Sequence, residues 1–70
     1  MSKVRVNGRT VYYSRFTDEA AAKRWANEAK DSAVVYGDAL LYDTPEYWVT
    51  TLSDAARLEK AGYEVNWLNR

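Results

Sequence analysis

The 70 residues predict a small α+β domain, an antiparallel sheet with two short helices on one of its faces. Three observations carry that expectation. An Asn-Gly pair separates two alternating segments, two stretches of helical periodicity each follow a capping residue, and β-branched or aromatic runs occupy the rest.

Asn7-Gly8 lies between Lys3-Val4-Arg5-Val6 and Arg9-Thr10-Val11-Tyr12-Tyr13. A two-residue type I′ turn needs positive φ at both central positions, which Asn and Gly tolerate best, so a hairpin is expected. That turn pairs Val6 with Arg9 and Val4 with Val11. Strand alternation then sends Val4, Val6, Val11 and Tyr13 to the core, and Lys3, Arg5, Thr10, Tyr12 and Ser14 to the other face.

Thr17 is the expected N-cap of a first helix over residues 18–30, with Asp18 and Glu19 at the positive end of its dipole. Ala22, Trp25, Ala26 and Ala29 recur at helical spacing, so they form the expected inner face with Trp25 as its large anchor. Residues 33–52 read as β: Val34, Val35 and Tyr36, then Leu40, Leu41 and Tyr42, then Tyr47 to Thr51. Asp43-Thr44-Pro45-Glu46 is the expected turn of this second hairpin, with a break or bulge at Gly37-Asp38 in its first strand. Ser53 is the expected cap of a helix over 54–61, with Ala55 and Leu58 inward and Gly62 as its left-handed stop. A last strand over 63–68 puts Tyr63, Val65 and Trp67 on one face.

The order is ββαββαβ, which after the first strand matches the βαββαβ of a ferredoxin-like sheet. At 8.1 kDa the chain supports one domain, residues 1–70, with one small core. Hydrophobic residues make up 47% and charged residues 29%, a globular balance far from that of disordered chains. No apolar run is long enough to span a membrane and the first ten residues are polar, so a cytoplasmic protein is expected. A small core with neither disulfides nor zinc to brace it leaves dimerisation open.

The chain has no His and no Cys. That excludes the Ser-His-Asp and Cys-His nucleophile systems, the usual zinc sites and thiol redox chemistry. Three scattered glycines build no phosphate-cradling loop. Asp38, Asp43 and Glu46 are the remaining candidates for Mg²⁺ or acid-base work, but small acidic clusters of this kind are ordinarily solvated turns. The expectation is a non-enzymatic protein without a cofactor.

Net charge is zero, yet the charges are segregated. Residues 1–16 carry Lys3, Arg5, Arg9 and Arg15 and no acid; residues 31–54 carry Asp31, Asp38, Asp43, Glu46 and Asp54 and no base. Tyr and Trp anchor protein interfaces, and Tyr36, Tyr42, Tyr47 and Trp48 are interleaved with those acids. An acidic, aromatic face of Tyr36, Asp38, Tyr42, Asp43, Glu46, Tyr47 and Trp48 is therefore the expected site for a protein partner. Such a protein would suit a stoichiometric inhibitor or adaptor, for example a phage-type inhibitor of a host nucleic-acid-handling machine. The alternative is weak nucleic-acid binding by the first hairpin, through Lys3, Arg5, Arg9, Tyr12 and Arg15.

Overall fold

A computed structural model describes residues 2–37 and 45–68. Five strands and two helices follow one another as β1 (Ser2–Val6), β2 (Arg9–Phe16), α1 (Glu19–Ala29), β3 (Ser32–Gly37), β4 (Glu46–Thr51), α2 (Leu52–Lys60) and β5 (Glu64–Asn66). The strands form one antiparallel sheet in the order β1-β2-β4-β3-β5. The α+β class and the element order are those the sequence predicts.

The first hairpin has the expected register, with Val6 opposite Arg9 and Val4 opposite Val11. Asn7 and Gly8 hold φ of +50° and +78°, the left-handed pair that a type I′ turn requires. Helix α1 is capped by Asp18, not Thr17: the Asp18 carboxylate accepts from the amide of Ala20 at 3.2 Å. Helix α2 starts two residues before the expected place, because Thr51 Oγ1 accepts from the amide of Asp54 at 3.3 Å and so takes the capping role from Ser53. Gly62 follows the last turn of α2 at φ +109°, as the stop signal predicts.

Two features depart from the ferredoxin-like expectation. The last strand pairs with β3, whereas that fold would place it beside β2, on the edge that β1 fills here. The helices also lie on opposite faces. Ala22 and Ala26 of α1 cluster with Val34 and Val49, while Ala55 and Leu58 of α2 cluster with Val35 and Trp48. Neighbouring residues of a strand point to opposite faces, so the two clusters are on two sides of the sheet. The topology explains this. The β2-α1-β3 crossover passes over β4 and the β4-α2-β5 crossover passes over β3, both in the same direction along the sheet. Since β2 and β4 are antiparallel, giving both crossovers the usual right hand puts their helices on opposite sides.

The second hairpin is re-registered. Tyr36 sits opposite Tyr47 and Gly37 opposite Glu46, so Glu46 belongs to a strand where a turn is expected. Leu40, Leu41 and the turn residues Asp43 and Thr44 lie outside the described residues. Position 37 suits a glycine for a steric reason: a Cβ there would sit 2.5 Å from Cε2 of the Trp48 indole.

On the α2 side Val6, Val11, Tyr13, Ala33, Val35, Trp48, Ala55 and Leu58 make the main core. Val4, Tyr63, Val65 and Trp67 pack on its margin, as their alternation predicts. Among the described residues no buried side-chain polar atom lacks a partner; the buried Thr50 hydroxyl donates to the carbonyl of Tyr12 at 2.9 Å. No helix among them is long and apolar enough to cross a membrane.

Candidate functional site

The four described residues of the expected acidic face, Tyr36, Glu46, Tyr47 and Trp48, do not share one surface. Trp48 is a core residue, 5% exposed, and this corrects its expected role as a surface anchor. Its ring stacks on Tyr13 with centroids 4.0 Å apart and planes 16° from parallel, and Tyr63 leans on it at 5.3 Å. Glu46 lies on the same side, and its Oε1 accepts from Trp48 Nε1 at 3.0 Å and stands 3.3 Å from Arg15 Nε. That carboxylate is committed within the fold.

Tyr36 and Tyr47 face α1. Their rings meet edge to face at 5.7 Å, and the Tyr36 hydroxyl donates to Glu19 Oε2 at 2.7 Å. Burial, reinforced by that carboxylate, holds the Tyr36 hydroxyl above its usual pKa. Burial also raises Tyr13, with the Glu46 charge as the second cause. Asp38, Tyr42 and Asp43 lie outside the described residues. Among the described residues no three acids gather closely enough to hold a metal ion.

The basic set divides differently. Lys3, Arg5 and Tyr12 lie on the α1 side of the hairpin, because the residues of opposite parity, Val4, Val6, Val11 and Tyr13, belong to the α2-side core. Arg9 and Arg15 are on that α2 side. Helix α1 packs over β4 and β3 and reaches only the Phe16 end of β2, so the α1-side face of β1 and β2 has no cover among the described residues.

Trp25, like Trp48, lies elsewhere than sequence reasoning places it. It is 54% exposed, contrary to its expected place in the core, and Ala29 is exposed too. Only Ala22 and Ala26 are buried on α1, so the buried stripe is narrower than the spacing implies. Measured from the mid-line of that stripe, Trp25 stands roughly 80° round the helix, at 100° per residue, which puts it on the flank. That flank leans toward the hairpin: the Trp25 ring tilts against Phe16 with centroids 6.2 Å apart. The offset was available in the sequence as the angle between Trp25 and the Ala22-Ala26 pair.

Tyr12, 53% exposed, and Trp25 are the large apolar side chains that stand exposed among the described residues. They line one groove of about 260 Å³ together with Ser14, Ser32, Thr51 and Asp54. The acid in that lining is neutralised by Arg57, whose Nη1 is 2.7 Å from Asp54 Oδ1. Residues 2–16 contribute no acid to the surface. Comparison with family models, curated proteins and solved structures finds no match for this chain.

Proposed function

We propose that this protein is a small, non-enzymatic module that binds single-stranded nucleic acid on the uncovered α1-side face of its first hairpin. One observation carries the reading: Tyr12 and Trp25, the large aromatics exposed among the described residues, line a single groove, and Lys3 and Arg5 share the Tyr12 face of a hairpin without acids. Sequence-tolerant single-strand binders combine stacking rings with cations that follow the backbone.

The magnitudes describe a weak binder. Two stacked bases contribute about 2–6 kcal/mol in total, the stacking term outweighing the charge term. Lys3 and Arg5 supply about two phosphate contacts, which sets a slope of about −1.4 in log K against log salt.

The protein-partner reading through residues 36–48 has less to support it. Of its seven residues, Trp48 is buried, Glu46 is paired with Arg15, and Tyr36 and Tyr47 are half-buried on the opposite side.

Titration with an oligothymidylate of about ten nucleotides, followed by tryptophan fluorescence at two salt concentrations, tests the proposal. Saturable quenching that Trp25→Ala abolishes, with a salt slope of about −1.4, is the expected result. Quenching unchanged in Trp25→Ala, or no binding at low salt, would overturn it.

A further inference from the structure

On the side of the sheet away from the Tyr12-Trp25 groove, three cations from two elements converge. Val6, Asn7, Arg9, Arg57 and Lys60 line a cavity of about 200 Å³ between the hairpin tip and the last turn of α2. Arg9 is there because the turn register pairs it with Val6, whose side chain is on the α2 side; Arg57 and Lys60 are there because Leu58 between them points into the core.

A helix C-terminus attracts cations, but it carries only about half a negative charge. Arg57 is further balanced by Asp54 at 2.7 Å. Among the described residues Arg9 and Lys60 have no ion-pair partner, and Val6, 7% exposed, gives the cavity an apolar wall. Two uncompensated cations beside a third, against an apolar wall, favour an anion between them. The guanidinium forks of Arg9 and Arg57 match the oxygens of a tetrahedral oxyanion, and the ammonium of Lys60 adds a point charge.

We propose that this cavity is a binding site for a phosphate group. The chemistry is the same for free inorganic phosphate and for the terminal phosphate of an oligonucleotide. The inference rests on the α2-side geometry alone and does not depend on the hairpin face binding nucleic acid.

The test is an amide NMR titration of the full chain with inorganic phosphate against chloride at matched ionic strength, repeated with Arg9→Gln and Lys60→Gln. Both positions are exposed, so both variants are expected to keep the wild-type spectrum elsewhere. The expected result is a saturable shift at Asn7, Gly8, Arg9 and Lys60 with phosphate only, weakened at least about threefold by either variant. A second arm compares a 5′-phosphorylated oligonucleotide with its unphosphorylated form. The same amides shifting only with the phosphorylated strand names the strand end as the source, and shifting with inorganic phosphate but with neither strand names the free ion. Shifts that do not saturate, that chloride reproduces, or that survive both variants would overturn the site, whatever Tyr12 and Trp25 do.

Discussion

On its α2 side the sheet is apolar from β1 to β5, from Val4 and Val6 through Tyr13, Trp48 and Val35 to Val65, whereas on its α1 side the apolar cover ends at Phe16 of β2. Both faces belong to the same five strands. The difference lies in what the alternation of β1 and β2 presents to each side: valines and a tyrosine to α2, and Lys3, Arg5, Thr10 and Tyr12 to the side of α1. A hairpin covered on one face only is a stable element, since antiparallel strands tolerate a wet face. Its uncovered face is then free to act as a surface, and Trp25 stands at its border.

The two tryptophans give the sharpest way to break this comparison. Trp48→Ala removes the ring that joins Tyr13 to Tyr63 and should cost about 3–5 kcal/mol, most of the stability of a domain this small. Trp25→Ala should cost under about 1 kcal/mol, as expected of a side chain that is half in water. Urea denaturation of both variants checks the ranking. Equal losses would mean that the α1 side is a second full core.

Gly37→Val probes the same ring from outside. With Trp48 2.5 Å from the added Cβ, the indole must leave its stack on Tyr13, an overpacking loss of about 1–3 kcal/mol. An unchanged denaturation midpoint would show that the α2-side stack is loose. Gly8→Val acts on the rule that assigns residues to faces. At φ +78° a β-branched side chain costs about 1–2 kcal/mol, and the midpoint should fall accordingly. If it does not, the turn is of another type and the division of charges between faces needs redrawing.

A smaller effect is expected at high pH. Tyr13 on one side and Tyr36 on the other both ionise above their usual 10.0, burial being the first cause in each. The folded chain therefore holds these protons more tightly than the unfolded one. Their contribution is complete below pH 10, and it falls as the pH rises from there through the folded-state values. Denaturation midpoints measured from pH 8 to 11 should be level below 10 and decline above it. Tyr13→Phe should reduce the decline, and a decline that starts well below 10 would contradict the burial of both rings.

Local rules made much of this fold legible. The Asn7-Gly8 register, the inward Ala55 and Leu58, the stop at Gly62 and the margin residues Tyr63, Val65 and Trp67 all follow from φ requirements and periodicity. What was not legible depends on contacts distant in sequence. Tyr36 pairs with Tyr47 and the Trp48 ring lies against Gly37, and no local signal reports either. The sides taken by the helices depend on which edge β5 chooses. For the candidate surface, Lys3, Arg5 and Tyr12 were readable as one face from alternation alone, while Trp25 joined them only once α1 was seen to bury two alanines and leave its flank open.

Amide NMR mapping of a bound oligothymidylate on the intact protein shows directly whether the hairpin face is where the strand binds. The shifts should cluster on Lys3, Arg5, Tyr12 and Ser14 and on the indole Nε1 of Trp25, and leave Tyr36, Glu46 and Tyr47 unmoved. Shifts concentrated on Tyr36, Glu46 and Tyr47, or none at all at low salt, would contradict binding on that face.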